Sequence, residues 1–229
     1  MNAVYFHLGQ WWFLVRKDLQ REYRSRAAWP SMALLGLLML MAIEMQLDLP
    51  AALSRQVAGG MLWLAIFFGG AVPIERSFSS EQADGCWDAL RMYPVEGATL
   101  YLAKFAFNFI SLAILSCVLL PMYVVLTDAP LLKQWPATSL LAMLTCASLA
   151  AAGTLVGAIA NSLRSRGNLV VLLLLPLALP VLLGASDATA SLLRGDTGDM
   201  FGRWLQLLAA FSLINLTAGV LLFDFVLER

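Results

Sequence analysis

Residues 105–126 read FAFNFISLAILSCVLLPMYVVL, twenty-two positions without one charged side chain. A helix needs about 20 apolar residues to cross a bilayer, with a range of roughly 17–25. This stretch predicts a membrane span. Five more stretches flank it at the same scale: Ala27 to Leu47, broken only by Glu44; Gln56 to Ile74; Ala137 to Ala160; Leu169 to Gly184, with Pro176 and Pro180; and Trp204 to Phe223, with Asp224 just beyond. Backbone N–H and C=O groups find no water in hydrocarbon, so a span must satisfy them internally. The alternating pattern of a membrane barrel is absent, which leaves helices. The expected fold is all-α: a polytopic membrane protein with six transmembrane helices, forming one transmembrane domain over residues 1–229.

Composition agrees. Apolar residues make up 60% of the 229 and charged residues 13%, against roughly 25% charged in a soluble domain. Fifteen basic and fifteen acidic residues cancel, so no net field points to nucleic acid. The loops Asp48 to Arg55, Thr127 to Pro136 and Ala185 to Arg203 are too short to hold a folded domain. The N-terminal basic cluster precedes an apolar run, as in a signal peptide, but that run is too long and leads into further spans, so it reads as the first span.

Basic residues in the flanks set the orientation. One set of segments holds Arg16, Lys17, Arg21, Arg24, Arg26, Arg76, Arg91, Lys104, Arg164, Arg166 and Arg229; the other holds Arg55, Lys133, Arg194 and Arg203. Eleven against four puts both termini in the cytoplasm. Trp29, Trp63, Trp135 and Trp204 fall at or near expected helix ends, where an amphipathic ring suits the headgroup layer.

The chain carries no recognisable catalytic apparatus. Cys86, Cys117 and Cys146 match no zinc or redox spacing, His7 is the single histidine, and no phosphate-cradling Gly-x-x-x-x-Gly-Lys-Ser/Thr run exists. No metal site is expected, and the chain reads as non-catalytic on its own.

Four features bear on mechanism. At the N-terminus Leu8, Trp12, Val15, Leu19 and Tyr23 recur on one helical face, with Arg16, Lys17, Arg21, Arg24 and Arg26 around the rest. Residues 1–26 thus predict a helix lying in the membrane interface, apolar face down and cations near anionic headgroups. Such a helix serves either as a topology anchor or as a relay of movement. The second feature is the cytoplasmic loop 75–101. Ser79 and Gln82 fit a capping box. Ala83, Cys86, Trp87 and Leu90 then share a face, Glu81, Asp84, Asp88 and Arg91 fall elsewhere, and Tyr93-Pro94 stops the helix. Gly85 inside it costs about 1 kcal/mol of helicity. A short amphipathic helix of this kind suits a partner's groove or the membrane surface.

The third feature is Gly153 and Gly157, spaced so that another helix backbone can come close, within this chain or from another subunit. The fourth is Pro176 with Pro180, which remove backbone donors and favour a bent span. Asn108, Ser111 and Ser116 in the third span, and Asn215 and Thr217 in the sixth, read as interhelical hydrogen-bonding groups. No ring of like charges suggests a channel.

Several of these pieces resemble a known family. Glu75-Arg76-x-Phe78, Asp84-Gly85, Leu90, Pro94 and Ala103-Lys104 are similar, in order and spacing, to the haem exporter permease subunit of the cytochrome c maturation system, the cytochrome c maturation protein B family. So are Arg16-Lys17-Asp18-Leu19 with Glu22 and Arg24, and the run from Leu173 to Pro180. Trp87 departs from the smaller or aliphatic residue expected there. The resemblance covers nearly the whole chain. It implies the ABC-2-type exporter fold, with a separate soluble ABC ATPase subunit that binds ATP and Mg. Residues 79–93 would be the coupling helix on that subunit, and Phe78 would belong to the same contact. It implies further partners: a tryptophan-rich haem-handling membrane protein, a small single-span membrane protein, a periplasmic haem chaperone and membrane lipid. Haem would be present in the complex, with no cofactor bound directly by this chain, and the location would be the bacterial cell inner membrane. Two other readings remain: a scaffold that recruits the ATPase without moving anything, and a related exporter for a lipid or polysaccharide.

Overall fold

A computed structural model of the protein describes residues 2–26, 28–46, 51–83, 97–127, 129–162 and 169–227. Those residues form seven α-helices and no strand: α1 (Asn2–Ser25), α2 (Ala28–Gln46), α3 (Ala51–Ala83), α4 (Gly97–Thr127), α5 (Trp135–Ser162), α6 (Leu169–Leu193) and α7 (Asp199–Leu227). A 3-10 turn, Pro130–Gln134, leads into α5. Helices α3 to α7 are each long and apolar enough to cross a membrane, and α1 with α2, which meet at 72°, pass the same test as a bent pair. Six charged residues lie in α1, whereas α2 carries only Glu44. The chain is an all-α, multi-pass membrane protein.

The helices outrun the apolar stretches that announced them. The backbone of α3 continues through Pro73 and on to Ala83. Ser79, expected to cap a new helix, instead lies inside this one. A capping box starts a helix only where the chain has first left one, and nothing from Glu75 to Ala83 breaks the hydrogen-bond ladder. At the other side of the loop, α4 begins at Gly97, well before the uncharged run. Helix α6 is continuous through Pro176 and Pro180, both of which face outward, and ends at Leu193 rather than Gly184.

Helix α5 lies at the centre and packs against α3, α4, α6 and α7, while α2 lies against α3 and α4. Lipid tails are as apolar as leucine, so association depends on close packing and interhelical hydrogen bonds. Sequence supplies both. Ala150, Ala151, Ala152 and Ala158 of α5 are fully buried. A Cβ on Gly69 of α3 would stand 2.9 Å from the Met32 carbonyl of α2, so these backbones touch. Trp63 of α3 is buried in the core, and its indole N–H donates to Thr189 Oγ1 of α6 at 2.8 Å.

Candidate functional site

The polar chemistry of the bundle gathers where α1, the end of α3 and the start of α4 meet, beside the two helix ends that flank residues 84–96. Two acids on α1, one turn apart, face inward. Asp18 and Glu22 are both buried, along with Leu14 and Val15, on the side of α1 that packs against α4. The apolar stripe read from sequence straddles this contact: Val15 is buried and Leu19 half-buried, while Trp12 and Tyr23 are exposed. The missed part of the protein-facing side is polar, and for that reason a hydrophobic pattern could not mark it.

Glu22 builds the elbow. Its backbone carbonyl accepts from the Arg26 N–H at 2.8 Å, and Arg26 takes a left-handed φ of 49° that ends α1. Its side-chain Oε1 accepts from the N–H groups of Ala28 at 2.6 Å and Trp29 at 3.0 Å. These are the first donors of α2, which have no partner inside their own helix; Pro30 follows and has none to satisfy. A carboxylate also suits the positive end of the helix dipole. One side chain thus terminates one helix and starts the next. The start of α2 is tied further by Trp29 Nε1, which donates to Ser111 Oγ of α4 at 3.2 Å.

Asp18 meets Lys104. The lysine of α4 is 2% exposed. Its ammonium donates to Asp18 Oδ2 at 2.9 Å and to the Ser77 carbonyl of α3 at 2.8 Å. It lies 5.8 Å from the centre of the Phe78 ring, within cation–π range. One buried cation therefore joins α1, α3 and α4, and the last two run into the loop from either side. Lys17 adds a second, looser cation 3.6 Å from Asp18 Oδ1.

Phe78 and Ile74 pass this contact inward. A Cβ on Gly157 would stand 2.8 Å from the Phe78 ring, and one on Gly153 would stand 2.5 Å from Ile74 Cδ1. The neighbour that needs these two glycines is α3 of the same chain. The Phe78 ring, expected at the partner contact, is buried against α5 within this chain. Glu81 and Ala83 fall in the last turn of α3. Asp84, Gly85, Cys86, Trp87, Asp88, Leu90, Arg91, Tyr93 and Pro94 lie outside the described residues. On α1, Trp12, Arg16 and Arg24 are exposed and Lys17 and Arg21 half-exposed.

Polar groups continue along α4. Tyr101 OH donates to the carbonyls of Ala151, at 3.1 Å, and Asn215, at 3.2 Å. Asn108 Nδ2 donates to Thr154 Oγ1 at 2.9 Å. Ser116 Oγ and Cys146 Sγ are 3.1 Å apart. All three α4 groups expected to bond between helices do so. In α7 the side chains of Asn215 and Thr217 bond within their own helix instead. Near the loop end of α5 and α6 an apolar groove of about 430 Å³ is lined by Val156, Ile159, Leu173, Pro176 and Leu177. None of these five side chains can ligate iron. Among the described residues no group of three or more His, Cys, Asp or Glu could hold a metal ion.

The arrangement is a buried charge pair and a side-chain cap, which join the α1–α2 elbow to the end of α3 and the start of α4. Asp18, Glu22, Phe78 and Lys104 were all among the residues that carried the family resemblance, but no local pattern showed that Lys104 meets Asp18 and Phe78.

The chain is 24% identical over 210 residues to "Heme exporter protein B" of Bradyrhizobium diazoefficiens, covering 90% of this chain and 91% of that protein. It is 27% identical over 161 residues to "Heme exporter protein B" of Pseudomonas aeruginosa, covering 70% and 72%. For the Rhodobacter capsulatus protein of that name the identity is 25% over 175 residues, covering 76% and 79%. The family model described as "CcmB protein" matches residues 10–226, from the elbow helix to the last turn of α7, and the chain belongs to that family.

Proposed function

We propose that this protein is the membrane subunit of a haem-export complex, and that it converts movement of a soluble ATPase into movement of its own helices. The relatives carry the name of haem exporters, and the match runs the length of the bundle. The observation that carries the coupling reading is Lys104, buried at the root of the 84–96 loop and bonded at once to α1 and α3. A push on the loop reaches Ser77 and Lys104 within two helical turns of either end, and from there Asp18 and the Glu22 elbow.

In this reading residues 84–96 dock on the ATPase through Trp87 and Leu90, while Glu81, Asp84 and Asp88 set the orientation. ATP and Mg stay on that partner. The loop end and both termini face the cytoplasm of a bacterial cell, and the membrane is the inner one. Hydrolysis is linked to release of a haem-loaded periplasmic chaperone, with a tryptophan-rich haem-handling protein and a small single-span protein completing the complex. The test is ATPase turnover of the co-purified complex after Trp87→Ala and Leu90→Asp. Both variants lose assembly or turnover if the loop docks; unchanged assembly with unchanged turnover rejects it.

A second reading has its own support. The α5–α6 groove is lined by aliphatic side chains and proline alone, which suits a scaffold that moves no haem itself. Haem crosslinked to this chain during turnover would exclude the scaffold.

A further inference from the structure

We propose that the junction of α3, α4 and α5 is a binding site for internal water, held by Asn108 Oδ1 and Ser77 Oγ. The inference is independent of ATP coupling and rests on two buried oxygen atoms that the protein itself leaves open. Asn108 is fully buried and Ser77 is 6% exposed. Among the described residues neither Asn108 Oδ1 nor Ser77 Oγ has a hydrogen-bond partner. A buried polar atom without a partner is costly, above all inside a bilayer, where bulk water cannot relieve it. Internal water binds where two or more such groups converge.

Local bonding fixes the Asn108 amide. Thr154 Oγ1 donates its one proton to the Ala150 carbonyl at 2.7 Å, so toward Asn108 it can only accept. It takes an N–H of the Asn108 amide at 2.9 Å. The amide therefore cannot turn over, and its oxygen is left without the threonine. Ser77 forgoes the usual partner of a helical hydroxyl. Thr145, Thr154, Thr189 and Ser191 each donate to the carbonyl four residues back, whereas Ser77 Oγ does not. The two open atoms belong to one junction. Ser77 lies on α3 between Ile74 and Phe78, which pack on Gly153 and Gly157 of α5, and those glycines flank Thr154. The Ser77 carbonyl takes Lys104, which stands one turn of α4 from Asn108.

The chemistry of the site selects the ligand. Asn108 Oδ1 needs a donor, which excludes an apolar ligand. A metal cation would stand beside the Lys104 ammonium and be repelled. Water donates to the amide oxygen, donates to or accepts from the hydroxyl, and adds no charge. It can also exchange bonds as the three helices shift, which a direct side-chain bond cannot.

The test is radiolytic hydroxyl-radical labelling of the purified full chain, read by mass spectrometry. Radicals formed from a bound water label the side chains around it, even where bulk solvent does not reach. Phe78 and Phe67 are both 2% exposed, and Phe67 lies in the apolar core, so it is the dry reference. Phe78 is expected to label above Phe67 in the wild type, and S77A/N108L to lose that excess. A misfolded variant would label at Phe67 too, so the ratio separates loss of water from loss of fold. A second measurement is the unfolding midpoint of Ser77→Ala, which removes an oxygen without a protein partner. With water bound there the midpoint falls; at a dry site it holds or rises. The proposal is overturned if Phe78 labels no faster than Phe67, if the excess survives in S77A/N108L, or if Ser77→Ala does not lower the midpoint.

Discussion

The Lys104 ammonium and the Asp18 carboxylate lie 2.9 Å apart across 86 positions of sequence, and both side chains are buried. Such a pair gains little over two apolar residues, because desolvation offsets the attraction, but removing one partner strands the other. Lys104→Met should therefore cost about 3–5 kcal/mol of stability. Asp18→Asn with Lys104→Met should cost less than the sum of the single changes by more than ~1 kcal/mol. Denaturant unfolding of the purified full chain measures all three; strictly additive costs would mean that the two groups do not interact.

Glu22 acts through acceptor atoms at a helix start. Glu22→Gln keeps an acceptor and should lose only the charge–dipole part, about 0.3–1 kcal/mol. Glu22→Ala leaves the Ala28 and Trp29 donors open and should lose about 1–2 kcal/mol. Hydrogen exchange at these two amides reads the cap directly: faster exchange in Glu22→Ala than in Glu22→Gln is the expected order.

At Gly157 the contact is steric. An added Cβ would stand 2.8 Å from a ring carbon of Phe78, and the next ring carbon is 2.9 Å away. Overpacking of this kind costs about 1–3 kcal/mol. Gly157→Ala should lower the unfolding midpoint, and Phe78→Leu in the same chain should restore part of it. If Gly157→Ala is neutral, α3 and α5 are not in contact there.

Trp63 separates hydrogen bonding from packing. Trp63→Phe removes the bond to Thr189 and should cost about 0.6 kcal/mol, the usual worth of an interhelical bond in a membrane. Trp63→Ala also opens a cavity in the core and should cost about 3–5 kcal/mol. Comparable losses in the two variants would mean that the bond dominates.

The membrane spans were legible because each needs only a local count of apolar residues, and the runs around Phe105–Leu126 and Ala137–Ala160 exceed any ambiguity. Helix ends were less so. Ser79 looked like a cap because its local pattern fits one, yet the ladder of α3 passes through it. Gly153 and Gly157 announced a close contact without naming its other side. The least legible part was the centre of the site. Charged residues near span ends normally snorkel to water, and nothing local distinguishes Lys104, which turns inward, from Arg76, which is exposed. Its partners lie on two other helices, and only the fold brings them together. The same holds for Phe78, whose burial depends on the absence of a side chain at Gly157.

The row of polar side chains on α4 restricts how that helix can turn. Lys104, Asn108, Ser111 and Ser116 are gripped at successive heights by α1 and α3, by α5, by α2, and again by α5. Twisting α4 about its long axis would break every grip in the same instant, as when a keyed shaft is forced round in its slot. Tilting it with its neighbours breaks none. The working stroke proposed above would therefore rock coupled rods and not rotate single ones.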